Sequence, residues 1–564
     1  MNFPMIAKPI TLCSVLILIG MGHVGYGQQK KEGSIQTDDI ILEKERKIEL
    51  KPEISRNFEP LDEIENLNKG RKMKYEFLER KWEAKSPAIL TTSIIGPREG
   101  DELVSAFGPK FKNMVKIGAG NFGHTLLNGH FGFAKENQFQ GIYINHDANR
   151  RGPIGGVYGG RNDNEVKLYS KTFTGNYLLD GSIGYKRTEA NYYGRDANKF
   201  ETQLNKIGII YNKFHYVGSI GNAKKDAKYD YIASSGLTYL STSNSNREWI
   251  WESKINSVLH VNDQISAYLN GDMLLSEITN SRNNRRELYR IKPSFLYKSG
   301  RISVTAGINI ANEKDKLVNL NQTRVFPILK LDIKPTEFLH VFAGIGGDTY
   351  FNSMNQFVSE NNWLGNDVNL KNTVQSSNIY GGLKGSNERN FDFEMKFGYS
   401  EFSNLGFFTA VQGDSSRYNV TYAGGDKKVQ VVNISGQINY QILNEVLSIL
   451  KYDFNSYENL GDLEKPYHRP AMNLSFTNSI TFKDRIIVSP DVFYLGGLYG
   501  FNPSQQKAVK MPDIIDLNLK VNYLITKKFN ASVSANNILG KMNQRYLFYP
   551  QQSLNYTVGI AYSF

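Results

Sequence analysis

From about residue 113 onward the chain alternates apolar and polar positions with a period of two. In "DLNLKVNYLI", Leu517, Leu519, Val521, Tyr523 and Ile525 share one face, while Asp516, Asn518, Lys520 and Asn522 share the other. In "RISVTAGINI", Ile302, Val304, Ala306, Ile308 and Ile310 stand against Ser303, Thr305, Gly307 and Asn309. Strand side chains point alternately to opposite faces, so each segment predicts a strand with one apolar and one polar wall. The segments run roughly ten to fourteen residues, which suits tilted strands crossing a bilayer better than the shorter strands of a soluble sandwich.

The turns are a second, independent signal. Short polar connections recur near residues 136, 174, 225, 262, 299, 335, 387, 443, 484 and 527. Longer Asn/Gly/Ser-rich excursions lie between them, among them 146–162, 351–375 and 403–428. Tight turns on one rim and long loops on the other are the asymmetry of outer-membrane barrels. With both termini on the tight-turn rim, ten turns imply about 22 strands, and one turn missed or invented moves that to roughly 20 or 24. The expected fold is all-β: a transmembrane antiparallel β-barrel over 111–564 with a short N-terminal periplasmic arm over 28–110. Trp249 and Trp251 share one strand face, as do Tyr556 and Tyr562, which places them in interfacial aromatic girdles.

Composition agrees once the alternation is known. Mean hydropathy is −0.43 over 564 residues, and no apolar run after the first two dozen residues is long enough for a spanning helix. The 33 Tyr and 32 Phe are too many for a solvated, disordered chain. Half-lipid, half-water strands average to this mild polarity.

The N-terminus has the layout of a cleaved secretory signal over 1–27: Lys8, an apolar stretch from Ile10 to Met21, then Gly25 and Gly27 before Gln28. Cys13, inside that stretch, is the only cysteine, so the mature chain has no disulfide or thiol chemistry. The net charge of +12 belongs to the barrel. Residues 28–110 hold 16 Lys/Arg against 17 Asp/Glu, and residues 111–564 hold 50 against 38. The candidate anion-contact cations are Arg150 and Arg151 in "NRRGP" and Arg282, Arg285 and Arg286 in "SRNNRREL". They are expected to be loop residues facing lipopolysaccharide or an anionic solute. No nucleic-acid-binding motif accompanies them.

The last strand, "YTVGIAYSF", puts Tyr556, Val558, Ile560, Tyr562 and Phe564 on the lipid side and Thr557, Gly559, Ala561 and Ser563 inside. A terminal aromatic closing such a strand resembles the signal read by the barrel-assembly machinery of Gram-negative outer membranes. The stretch before it contains Asn536, Asn537, Ile538 and Leu539, then Tyr546 and a Tyr549–Pro550 pair. It resembles the closing hairpin of TonB-dependent receptors, and "KPYHRPAMNLSF" around Pro470 resembles a late strand of that family. The similarity covers roughly 465–564 in motif and 113–464 in architecture. It implies a 22-stranded barrel in the outer membrane that binds or transports a solute, with TonB as a partner. The chain departs from the family at its N-terminus, because 28–110 is shorter than the family's plug domain, densely charged and without plug motifs. Asp39, Ile40, Ile41 and Leu42 in "DDIILEKERKIEL" resemble an energy-coupling segment for TonB, so the arm is expected to meet TonB or another periplasmic protein. The alternative is a plugless barrel that serves as scaffold or subunit of an envelope complex.

No catalytic constellation is apparent, and neither an enzyme nor a cofactor is expected. The seven histidines after the signal are scattered, and His124 and His130 have no carboxylate or third ligand at metal spacing. "GPIGGVYGG" at 152–160 falls in an external loop with no helix after it, so chain flexibility rather than phosphate binding explains its glycines.

Overall fold

A computed structural model describes residues 113–564 apart from 136, 154–158, 195–207, 224–227, 282, 388–389, 425–426, 443–444, 484 and 527. The expected signal (1–27), the arm (28–110) and the segment Asp39–Leu42 therefore lie outside the described residues. Twenty-two antiparallel strands follow one another around a single sheet, and the first strand, Asn113–Gly120, closes it by pairing with the last, Asn555–Ser563. The register of that seam sets Met114 opposite Ser563, Ile117 opposite Ile560 and Gly120 opposite Thr557. A closed sheet leaves no unpaired edge, which is the condition for crossing a bilayer with strands.

The alternation sorts the walls as expected. In the strand Ile514–Leu524, Leu519 and Tyr523 face outward and are exposed, while Asp516 and Asn522 face inward and are 0% exposed. Val558 and Ile560 on the last strand are 53% and 51% exposed to what is, in place, lipid. Trp249 and Trp251 are exposed on the same outer face. Trp249 packs on Tyr239 with ring centroids 4.1 Å apart, and Trp251 Nε1 donates to Ser235 Oγ at 2.9 Å. Trp251 thus has an apolar body toward lipid and a polar contact on the wall. No described helix is long and apolar enough to cross a membrane.

Every one of the ten tight turns falls between consecutive strands on the rim that also holds Asn113 and Phe564, with two to six residues in each connection. That rim is the periplasmic one by the asymmetry of such barrels. The opposite rim departs from the expected picture. Its connections at 243–246, 280–283 and 316–319 are only four residues long, whereas 351–372 and 404–428 are long and folded. The long ones carry a helix, Met354–Glu360, and an antiparallel hairpin, Leu405–Val411 with Asp414–Ala423. Two further short hairpins, Tyr499–Asn502 with Lys507–Lys510 and Gln544–Tyr546 with Tyr549–Pro550, follow on the same rim.

Candidate functional site

These outer connections are too apolar to sit as solvated loops, and they do not. Tyr192, Tyr193, Phe357, Trp363, Phe408 and Tyr549 are buried together with Met354, Leu364, Tyr418 and Tyr546 in one core. Burying them against one another removes aromatic surface from water in the only way open to residues above the lipid belt. Irregular backbone in such a core still requires hydrogen bonds. Tyrosine hydroxyls supply them: Tyr192 to the carbonyl of Leu364 (2.7 Å), Tyr193 to Pro550 (3.0 Å) and Tyr546 to Glu360 (3.0 Å). Tyr418 donates likewise to Leu547 at 2.5 Å and Tyr549 to Ser416. Because the hydroxyls are buried, their ionised forms are disfavoured, and burial pushes the Tyr192 phenol up to about 12. The result is a folded cap on the outer rim.

The inner wall holds the cap in place. Glu248, on the strand Arg247–His260, is fully buried and accepts the backbone N–H groups of Met354 (3.2 Å) and Asn355 (2.9 Å) and the hydroxyl of Ser276 (3.2 Å). Those two N–H groups belong to the first turn of the Met354–Glu360 helix, which has no intrahelical acceptor for them. Arg286 on the strand Asn284–Ser299 donates to the carbonyl of Asn352 and to Asn372 Oδ1 (3.1 Å), and its guanidinium lies 4.5 Å from the centre of the Phe351 ring. Below it, Arg290 pairs with Asp272 (2.8 Å) and Asp348 (3.2 Å), and Lys292 pairs with Asp348 (2.6 Å). Both ends of the 351–372 connection are thus fastened by wall charges.

A small, partly open cavity, about 40 Å³ of space for water-sized occupants, lies within the cap. Tyr193, Trp363, Tyr546 and Tyr549 form its aromatic side; Trp363 and Tyr549 stack at 3.8 Å between ring centroids. Asn149, Asn191, Asn362, Gln551 and Gln552 form its polar side. Arg161, Arg545 and Glu360 also line it. Neighbouring bonds position several of these groups: Trp363 Nε1 donates to the carbonyl of Asn191 (3.1 Å), and Asn191 Nδ2 to that of Gly160 (2.6 Å). Gly159, which lines the cavity, and Gly152 come so close that a Cβ on Gly152 would lie 2.1 Å from the Gly159 Cα. Close approach, not flexibility, accounts for those two glycines.

His468, between Tyr418 and Tyr546, is 2% exposed, and Arg545 donates to its carbonyl. Burial, reinforced by the Arg545 charge, pushes its imidazole down to about 3. His468 is therefore a neutral core residue at neutral pH.

The predicted cations separate. Arg150 and Arg151 are exposed on the outer rim, and Arg282 is outside the described residues. Arg285 and Arg286 are corrected from loop to strand residues, because the turn before them is only four residues long. Arg285 stays exposed and pairs with Glu287 at 3.0 Å, whereas Arg286 turns inward and becomes an anchor of the cap. Tyr556, Val558, Ile560, Tyr562 and Phe564 all face outward and are exposed. Among the described residues no three His, Cys, Asp or Glu side chains gather at metal-binding distance. His124 does have partners that the sequence did not reveal, Asp147 (3.0 Å) and Thr557 (2.7 Å), which tie three strands together across the closing seam. Thr557 is 433 residues from His124 along the chain, so no local spacing could have shown it.

The chain forms a closed 22-stranded antiparallel barrel with an apolar outer belt, a polar inner wall and a cap on its outer rim, a fold it shares with solved outer-membrane transporters and receptors. Solved structures similar to it include the FrpB iron transporter from Neisseria meningitidis, with a TM-score of 0.63 and 10% identity over 80% of this chain and 81% of that one. The pyoverdine outer membrane receptor FpvA from Pseudomonas aeruginosa, bound to pyoverdine, is similar with a TM-score of 0.62 and 10% identity, covering 80% of this chain and 78% of its own. The copper transporter OprC is similar with a TM-score of 0.61 and 10% identity, covering 80% of each chain. At such identities the likeness is one of fold. No protein-family model matches the chain, and no curated protein matches it in sequence.

Proposed function

We propose that the protein is an outer-membrane transporter that takes up a solute bound in the cap. The observation that carries this reading is the cavity: a concave site with aromatic walls and convergent polar groups, set over the outer mouth of a wide barrel. The similar structures are named as transporters and a receptor, which favours transport over the scaffold reading. In this proposal the arm, 28–110, engages TonB or another periplasmic protein, and Asp39–Leu42 is the contact segment. Arg150 and Arg151 meet anionic lipopolysaccharide at the outer rim. The exposed aromatic and aliphatic side chains of the last strand are the address read by the barrel-assembly machinery.

The test is single-channel conductance of the purified protein with and without residues 28–110, paired with a pull-down using the arm as bait. Transport predicts a pore that opens in at least one form, and capture of TonB. A barrel that stays closed in both forms and holds a periplasmic partner other than TonB overturns the reading.

A further inference from the structure

The wall of the barrel is uneven in height, and its lowest part is the closing seam. The strands there, Phe529–Asn536, Asn555–Ser563 and Asn113–Gly120, have 8, 9 and 8 residues, against 16 and 17 in Asn284–Ser299 and Leu320–Thr336. On the tall side, the outward positions of Asn284–Ser299 are apolar or aromatic from Tyr297 up to Tyr289. Above them come Glu287 and Arg285, paired at 3.0 Å. Charge marks the upper edge of the lipid belt there. The seam ends differently. Beyond Ile515 and Tyr556 the exposed apolar side chains are Ile538, Leu539, Met542 and Leu554, with Leu539 46% and Met542 60% exposed. We propose that the turn Asn537–Asn543 is embedded in the outer edge of the bilayer, with Leu539 and Met542 among lipid acyl chains and Lys541 at the level of the phosphates.

The height of the turn supports this placement. Tyr523, Phe529 and Tyr562 are exposed at the periplasmic end of the seam, with the Phe529 and Tyr562 rings 4.6 Å apart, as an interfacial girdle. From Tyr523 to Ile515 the strand climbs about 21 Å, at about 3.4 Å per residue and a tilt of roughly 40°. The apolar band of such barrels is about 25 Å tall, so the level of Ile515 is still inside it. The turn sits at that level. Ile538 donates its N–H to the carbonyl of Leu517 (2.8 Å), and Asn543 Nδ2 donates to that of Ile515 (3.4 Å). It occupies the place where the strand Phe529–Asn536 would otherwise continue.

The polar groups of the turn are arranged for an apolar setting. Asn537 is fully buried, and its Nδ2 donates to the carbonyls of Lys541 (2.6 Å) and Gln552 (2.8 Å). The N–H of Gly540 returns to the carbonyl of Asn537 (2.8 Å). A turn in water leaves such groups to the solvent, whereas one at the edge of lipid must pair them within the protein. Lys541 is the turn's one charge, and its long stem can stay in the belt while the ammonium reaches anionic headgroups. The patch also continues the lipid face of Val533, Tyr556 and Val558, which favours acyl chains over a protein partner.

Cys13→Ser removes the only cysteine, so single cysteines placed in the purified full chain can carry an environment-sensitive fluorophore. Leu539→Cys and Met542→Cys are compared in phosphatidylcholine–phosphatidylglycerol vesicles with two references: Ile560→Cys on the lipid face and Gln505→Cys in an exposed turn of the outer rim. Lipids with a nitroxide near the top of the acyl chain are expected to quench both turn labels several-fold more than the Gln505 label, and aqueous iodide several-fold less. A nitroxide near the chain end should quench the Ile560 label more than either. If one turn variant fails to give the heat-modifiable folded band, Leu554→Cys on the facing connection takes its place. Quenching of the turn labels by iodide to the extent seen at Gln505 overturns the proposal. Shielding from both quenchers also overturns it, since a second copy or another protein then covers the turn.

Discussion

The carboxylate of Glu248 accepts the backbone N–H of Asn355 at 2.9 Å, joining the inner wall of the barrel to a helix 107 residues further along the chain. The same carboxylate also takes the N–H of Met354. One side chain thus satisfies two donors that a helix start otherwise leaves open. Glu248→Ala strips both acceptor oxygens from a fully buried site and removes one of the three carboxylates, with Asp315 and Glu313, that oppose the Arg286 charge. The cap is expected to lose about 3 kcal/mol of local stability. The barrel itself should persist. Limited proteolysis should cut within 351–372 in the variant and not in the parent, while the heat-modifiable folded band on gels is retained. Intact resistance at 351–372 would show that the cap does not depend on this anchor.

Acidification should loosen the cap through His468. Its folded-state value is near 3 against an ordinary 6.5, so it stays neutral in the folded cap and takes up a proton once exposed. Stability from this group is complete above pH 6.5 and is lost as the pH falls toward 3, by up to roughly tenfold in the closed-to-open ratio per pH unit. Hydrogen exchange of cap amides at stepped pH measures this. His468→Asn tolerates the left-handed backbone at this position (φ 57°) and should flatten the acid slope.

Gly120 has an extended backbone, yet a Cβ there would stand 2.1 Å from the carbonyl oxygen of Tyr556 on the closing strand. The backbone on the facing strand has nowhere to move without breaking the seam. Gly120→Val should therefore lower the yield of folded barrel several-fold, measured as the heat-modifiable fraction in outer membranes. Gly175→Val meets nothing within 4 Å, though its turn has a positive φ of 58°, and should cost less.

On the last strand, position and role can be separated. Ile560→Lys sets a charge in the middle of the exposed apolar face and should cost about 2–4 kcal/mol if that position lies near the bilayer midplane. Chemical unfolding in lipid vesicles reads that loss. Phe564→Ala takes away a terminal ring that packs on Tyr562 (5.4 Å) and on Phe131 (6.4 Å) and keeps the backbone bond from its N–H to the carbonyl of Asn113. It should spare the stability of barrels refolded in vitro while reducing their assembly in cells. Equal loss in both settings would mean that the ring acts through packing alone.

How much of this was legible beforehand follows from the range of the interactions. The period of two, the ten tight turns and the faces of Asp516, Leu519, Val558 and Ile560 could be read directly, because they depend on neighbours along one strand and on the choice between lipid and water. From these alone the strand number and the assignment of inner and outer walls followed. The excursions at 351–375 and 403–428 stand out in the sequence as Asn/Gly/Ser-rich loops, although "LGFFTAV" and "YNVTYA" within the second repeat the strand pattern and are the available signal.

The cap was decided only in three dimensions. Tyr192 and Leu364 are 172 residues apart, and Tyr193 and Pro550 are 357 apart, yet each pair is hydrogen-bonded in one buried core. Arg286 looked like a loop cation because its neighbours in sequence are polar; its anchoring role comes from Asn352 and Asn372, which only the folded barrel brings to it. Alternation is a rule about adjacent residues and determined the barrel. The burial of aromatic loops depends on which connections meet over the outer rim, and that is settled by closure of the sheet.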